Sequence, residues 1–289
     1  MSAHSRSVRS GVSGERYRTG TLALEIAAIV LGLIFISPFY LVLANSFKTL
    51  KDILLDAASF PAELHWRNYG QVWKIIDFPA AFWNSFQITA LSVLLIVILS
   101  AMGAYRIARR PTRFNLFVFV LLISAMIIPF QSIMLQLVRV TSLLELRGEL
   151  YGIVACYVGF GMPLSVFLFH GFIKSVPLEL EEAATVDGAN PYGVFFRIVL
   201  PLLLPIAVTV VILNTLWIWN DYLLPVLVIG GNKDLTTLPL AVTRFFGQYT
   251  KKWDLALPGL ALAVTPVILF FLLLQRYIVE GVTAGSVKG

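Results

Sequence analysis

Between two long apolar runs the chain reads Lys174-Ser-Val-Pro177-Leu-Glu-Leu-Glu-Glu-Ala-Ala-Thr-Val-Asp-Gly-Ala-Asn-Pro-Tyr-Gly-Val-Phe-Phe-Arg197-Ile198-Val-Leu-Pro201. Pro177 followed by Glu179, Glu181 and Glu182 is a helix start, with acids in the first turns where the helix dipole favours them. Asp187-Gly188 is a break, because glycine takes the left-handed conformation that ends helices. Asn190-Pro191 then starts a second helix, with Asn190 as its N-cap and Pro191 at its first position. The segment is predicted to be two short helices around a glycine turn, the second leading into the next apolar run. Leu180, Ala183 and Ala184 share one small, apolar face suited to lying in a groove on another protein.

Outward from this segment the chain is dominated by stretches long enough to cross a bilayer, which takes about 20 mostly apolar residues in helix. Six qualify: Leu22 to Ala44, Phe86 to Gly103, Phe114 to Leu137, Leu150 to Ile173, Ile198 to Trp219 and Leu255 to Leu274. Prolines inside five of them are tolerable where neighbouring helices satisfy the freed carbonyls, which favours a bundle around a cavity. The composition agrees, with 58% hydrophobic residues, 13% charged residues and a mean hydropathy of +0.84. A soluble domain runs about 45–50% apolar and about 25% charged. The expected fold class is therefore all-α, a polytopic membrane protein with six transmembrane helices. The single cysteine, Cys156, excludes a disulfide framework and any multi-cysteine metal site. A net charge of +6 does not point to nucleic acid here, since the basic residues are scattered among apolar runs.

Two short arginine clusters set the expected orientation. Arg6, Arg9, Arg16 and Arg18 precede the first span, and Arg106, Arg109, Arg110 and Arg113 lie between the second and third. Excess arginine in short loops marks the cytoplasmic side. Both termini are thus expected in the cytoplasm. Counted over every loop the bias nearly vanishes, but long loops weigh little in this rule.

Glu182-Ala183-Ala184, three residues, Gly188, nine residues and then Ile198-x-Leu200-Pro201 resembles the EAA signature of bacterial ABC importer permeases, position for position. Further stretches resemble the smaller permease of maltose-type sugar importers. They include Asn45-Ser46-Phe47-Lys48, Trp66-Arg67-Asn68-Tyr69, Asn84-Ser85, Gly103 to Arg109, Trp219-Asn220-Asp221-Tyr222 and Gly281 to Gly289. The resemblance covers roughly residues 20–289 and implies a type I importer permease core with cytoplasmic EAA coupling helices, in the cytoplasmic (inner) membrane of a prokaryote. It divides the chain into a polar cytoplasmic segment (1–20), a six-span permease domain (21–280) whose coupling loop is 174–201, and a cytoplasmic tail (281–289). It implies as partners a second, related permease in a heterodimer, two ATPase subunits and an extracytoplasmic solute-binding protein. Glu182, Ala183, Ala184, Asp187, Gly188, Ile198 and Pro201 then carry the coupling to the ATPase. Ser286 and Lys288 in the tail are candidate ATPase contacts, with a frayed terminus as the alternative.

No Gly-Lys dipeptide occurs anywhere, so the phosphate-cradling G-x-x-x-x-G-K-[ST] loop is absent. ATP and Mg are expected on the partner ATPase, with no cofactor, metal or catalytic residue on this chain. For the substrate path the candidates are Gln131, which follows Pro129 inside the third span, and Trp217, Trp219, Asn220 and Tyr222 at the outer end of the fifth. The aromatic residues suit stacking on a sugar ring and equally suit an interfacial belt or helix packing. His170 has no second His, Asp or Glu nearby that would make a relay, Glu25 lies close enough to the cytoplasmic boundary to be interfacial, and Cys156 suits packing.

The six spans as drawn contain no Lys or Arg, which favours a neutral, hydroxyl-rich solute. An importer for a phosphorylated solute such as glycerol phosphate is the alternative, kept open by basic residues at span ends such as Arg139. A membrane enzyme or free-standing channel would leave the 174–201 segment unexplained and lacks clustered catalytic groups.

Overall fold

The computed structural model describes residues 19–247 and 252–286. The regular elements of these residues are helical: α1 (Thr19–Ser46), α2 (Leu50–Leu55), α3 (Arg67–Ile75), α4 (Phe78–Arg109), α5 (Arg113–Ala125), α6 (Phe130–Leu143), α7 (Leu150–Ile173), α8 (Glu179–Val186), α9 (Pro191–Val194), α10 (Leu200–Leu202), α11 (Leu204–Asn220), α12 (Leu223–Val228), α13 (Leu238–Val242) and α14 (Trp253–Ser286). A π-helical turn, Phe195–Val199, joins α9 to α10.

Among the described residues four helices, α1, α4, α7 and α14, are each long and apolar enough to cross a membrane. The third and fifth predicted spans are not continuous. Helices α5 and α6 meet at 107°, and the Pro191–Leu202 segment meets α11 at 74°. With each bent pair taken as one span the total is six. The first bend falls at Met126 to Pro129. Proline lacks the N–H that would continue the ladder and pushes the residue before it out of helical geometry. The second falls at Leu203, between Pro201 and Pro205, just after the π turn, where the Leu200 N–H reaches back to the Phe195 carbonyl. Sequence periodicity could not show either bend, because both limbs stay apolar through the break.

Residues 281–286, the start of the expected tail, are helical and continue α14. Helix α6 runs to Leu143, so Arg139 lies on the second limb of a bent span and not beyond its end. Residues 1–18 and the tail candidate Lys288 lie outside the described residues, and Ser286 is the last residue of α14.

Helix α4 is the centre of the bundle. Its buried face carries Asn84, Ser85, Ile88, Thr89, Ser92, Ile96, Ser100, Ala101 and Ala104, mostly small or weakly polar. Helix α7 packs along it, and α11 crosses both. Small residues permit this approach, which in lipid depends on close packing and interhelical hydrogen bonds. A Cβ on Gly161 of α7 would stand 2.5 Å from Ile96 Cδ1 and 2.8 Å from Asn214 Oδ1. At that crossing Asn214 Nδ2 donates to Ser165 Oγ at 3.1 Å and to the Val210 carbonyl at 2.9 Å. A second cluster, with Val72, Ile76, Trp219, Leu238, Phe245 and Ala256, ties α3, α11, α13 and α14 together.

Candidate coupling loop and substrate path

The 174–201 segment forms the predicted pair of short helices. Helix α8 ends at Val186, and Gly188 has φ +86°, the left-handed conformation. No atom lies within 4 Å of where a Cβ on Gly188 would be. Backbone conformation, and not crowding, therefore reserves the position for glycine. Asn190 caps α9, its Oδ1 accepting from the Gly193 N–H at 2.8 Å, and Pro191 follows at the first helical position.

The loop is fastened to the end of α4 through a residue that the motif did not single out. Glu181 is 7% exposed. Arg109 Nε donates to its Oε1 at 2.7 Å, and the Tyr105 hydroxyl donates to its Oε2 at 2.7 Å. Arg109 Nη2 also donates to the Val176 carbonyl at 2.9 Å. Tyr105 and Arg109 are four residues apart on one face of α4, which lets one carboxylate take both. A guanidinium, a phenol and a carboxylate joined in this way satisfy one another in a half-dry site, where a lone charge would be costly.

The motif residues themselves mostly face outward. Glu182, Ala183, Asp187 and Gly188 are exposed, while Ala184 packs against the core. Ile198 lies in the π turn and is half-buried, and Pro201 is exposed on α10. Leu180 and Ala183 remain on the outside with Leu178, Val186 and Tyr192. An open groove of about 470 Å³ runs between Leu178, Glu182, Val186, Pro191 and Val194. The loop thus leaves Leu178, Leu180, Val186 and Tyr192 exposed beside the acids Glu179, Glu182 and Asp187.

The candidate path residues separate. Trp219 is inside the subunit: its Nε1 donates to the Ala263 carbonyl at 3.1 Å and its ring meets Phe82 edge-on at 5.8 Å. That environment makes it a strut between α11 and α14, and it also lines a cavity of about 670 Å³ with Phe82 and Phe86. Trp217 is half-exposed and stands edge-on to Tyr157 at 5.5 Å. Asn220 and Tyr222 are exposed, with Asn220 Nδ2 donating to the Leu216 carbonyl at 2.7 Å. Gln131 is exposed on the first turn of α6, immediately after the bend. Sequence reasoning missed Tyr157 and Asp221. The buried Tyr157 hydroxyl donates to Asp221 Oδ2 at 3.0 Å, and Asp221 Oδ1 accepts the Leu223 N–H at 2.9 Å, which fixes the turn from α11 to α12. The Asn-Asp pair after a tryptophan-rich helix end was the available signal, since an Asp side chain bonds the backbone N–H two residues on and so makes a turn.

The described residues thus form a bundle of four continuous candidate crossings and two bent pairs, with a docked helical loop turned outward at one end. Residues 107–284 match the family described as "Binding-protein-dependent transport system inner membrane component", and the chain belongs to that family. It is 42% identical over 267 residues to the "Probable starch degradation products transport system permease protein AmyC" of Thermoanaerobacterium thermosulfurigenes, covering 92% of this chain and 96% of that protein. It is 38% identical over 267 residues to the "Melibiose/raffinose/stachyose import permease protein MelC" of Bacillus subtilis, covering 91% and 95%. The fold is that of a chain in the "Crystal structure of a bacterial ABC transporter involved in the import of the acidic polysaccharide alginate", with a TM-score of 0.77 at 18% identity, over 91% of this chain and 99% of that one. The chain is a non-catalytic, multi-pass subunit of the inner membrane, working with an ATPase and a solute-binding protein.

Proposed function

We propose that this permease moves a neutral mono- or oligosaccharide by alternating access, with the 174–201 loop as its contact with the ATPase. The observation that carries the coupling role is the construction of the loop. Two capped helices are fixed to α4 from behind by Glu181 and turn Leu180, Glu182 and Ala183 outward. A flexible loop would dissipate a push from an ATPase; this one is stiff and docked. The sugar reading rests on relatives named for starch degradation products and for melibiose, raffinose and stachyose. In the assembled importer this chain pairs with a second, related permease, and two ATPase subunits holding ATP and Mg dock at the loop. In this reading the arginine-rich end, and both termini, lie in the cytoplasm. Trp217, Asn220, Tyr222 and Gln131 are the exposed residues proposed to face the path, and the end of α14 with Ser286 and Lys288 is a further proposed ATPase contact.

Two experiments test this. Uptake of labelled sugars by cells with and without the gene should show sugar transport lost; loss of uptake of a phosphorylated solute, with sugars unaffected, would overturn the substrate. Glu182→Lys, Ala183→Asp and Gly188→Val should leave the protein in the membrane while releasing or uncoupling the ATPase. For Gly188→Val the left-handed backbone costs roughly 1–2 kcal/mol. Normal co-purification of the ATPase and normal sugar-stimulated hydrolysis in all three variants would remove the loop from the mechanism.

A further inference from the structure

The loop end and the far end of the molecule are both tied to one helix, and that helix is α4. At its C-terminal end Tyr105 and Arg109 hold Glu181 of the coupling loop by bonds of 2.7 Å. At its N-terminal end Asn84 Nδ2 donates to the carbonyls of Asp234 and Thr236, at 2.7 and 3.2 Å. Next to it Ser85 Oγ accepts the Leu238 N–H at 2.8 Å. These three bonds hold the connection between α12 and α13, residues some 150 positions away in sequence. Asn84 and Ser85 are buried, so the bonds are sheltered from competing water.

Helix α4 is uninterrupted through both attachments, a single helix of 32 residues with its proline confined to the first turn. At about 1.5 Å per residue the stretch from Asn84 to Arg109 rises ~37 Å, enough to cross the ~30 Å of a bilayer core. Other routes across the bundle are softer. The fifth span, into which the loop runs directly, is bent by 74°, and the third by 107°. Helix α7, which leads into the loop, carries Pro163 at its middle, and α14 carries Pro258 and Pro266. Proline removes a ladder bond and kinks a helix where it falls.

We propose that α4 is the rod that carries displacement of the coupling loop across the membrane to the α12–α13 segment, with Glu181–Arg109–Tyr105 and Asn84–Ser85 as its two couplings. The proposal rests on the coupling role of the loop. It adds that the push on α8 leaves the loop sideways, through Glu181, as well as along the chain into the fifth span. Arg109, Tyr105, Asn84 and Ser85 are positioning residues under this proposal: they touch neither ATP nor solute. Outward-facing Glu182 meets the ATPase, and inward-facing Glu181 hands the motion on.

The test is a double-mutant cycle between the two ends in the assembled importer reconstituted with its ATPase and binding protein. Arg109→Gln breaks one coupling and Asn84→Ala the other, with Tyr105→Phe and Ser85→Ala as milder versions. Each single variant should co-purify with the ATPase and hydrolyse ATP, while sugar moved per ATP falls on the order of tenfold, within the range for coupling between distant sites. A rod cut at both ends fails no worse than one cut at either. The Arg109→Gln, Asn84→Ala double variant should therefore stay within about twofold of the lower single, where independent defects would multiply. Exchange of the ion pair, Arg109→Glu with Glu181→Arg, should restore part of the loss. Normal sugar transport in either single variant would overturn the proposal, as would multiplicative effects. If the stronger variants fail to assemble, the milder pair decides by the same cycle, and failure of assembly there too would assign these residues to folding alone. If Glu182→Lys and Gly188→Val also leave coupling intact, the loop itself is at fault; if they uncouple while the α4 variants do not, only the rod fails.

Discussion

By length and apolarity α1 and α4 are equally able to cross a bilayer, yet 0% of the apolar stretch of α1 is buried within the subunit, against 44% in α4. The middle of α1 presents Leu31, Leu33, Ile34, Phe35 and Ile36, all exposed. The buried face of α4 presents Ser92, Ser100, Ala101 and Ala104 instead. Lipid tails are as apolar as leucine, so apolarity gives a helix no reason to prefer a neighbour over the bilayer. Small and hydroxylated side chains do, because they let backbones approach and bond. Apolarity therefore decides which segments enter the membrane, and side-chain size decides which of them become the core.

Valine placed on two glycines should break or sharpen this contrast most strongly. At Gly161 the new Cβ meets Ile96 and Asn214 at 2.5 and 2.8 Å, whereas at Gly32 of α1 nothing lies within 4 Å. Gly161→Val should destabilise by about 1–3 kcal/mol, as overpacking does. Gly32→Val should stay within about 0.5 kcal/mol, as for sites that touch nothing. Thermal unfolding of the detergent-solubilised subunit reads both, and equal melting temperatures would erase the distinction between the helices.

A smaller effect is expected at Ser165, where alanine removes one of the two bonds that hold Asn214. Interhelical bonds in lipid average ~0.6 kcal/mol and reach ~1.7. Ser165→Ala should lie in that range by the same melts; a value near zero would leave packing alone as the source of the α7–α11 contact. Smallest of all, Leu31→Ala and Leu33→Ala should leave the isolated subunit unchanged, within about 0.5 kcal/mol. A larger loss in either would mean that the middle of α1, and not only its packing on α14 and its buried end at Ala44 to Ser46, is held by the subunit.

The 174–201 loop was legible almost residue by residue. Helix start, glycine turn and Asn190 cap all depend on neighbours within four positions, and Gly188 and Asn190 stand as their chemistry requires. The choice between Glu181 and Glu182 was not legible. Both are acids in the first turns of one short helix, and only the approach of Tyr105 and Arg109, more than 70 residues earlier, distinguishes the one that is held. Trp219 is the reverse case: its aromatic ring suited a sugar on chemical grounds, and the Ala263 carbonyl, 44 residues away, holds it inside. The bends at 126–129 and at 203 lay between the two cases. Pro129, Pro201 and Pro205 were visible as breaks in the ladder, but a proline leaves the direction and size of a bend to the helices packed around it.

From the sequence alone came the membrane class, the positions of the crossings and the character of the 174–201 loop. Transfer of an apolar segment into lipid is summed over its own residues, and caps and turns are satisfied by atoms a few positions away. The tertiary structure alone decided that α4 is central and α1 peripheral, and that Glu181 closes on Arg109. It alone bound the α12–α13 connection to Asn84 and Ser85. Each of these depends on a backbone approach between segments far apart in the chain, and buried polar groups take whichever partner that approach brings within hydrogen-bond reach.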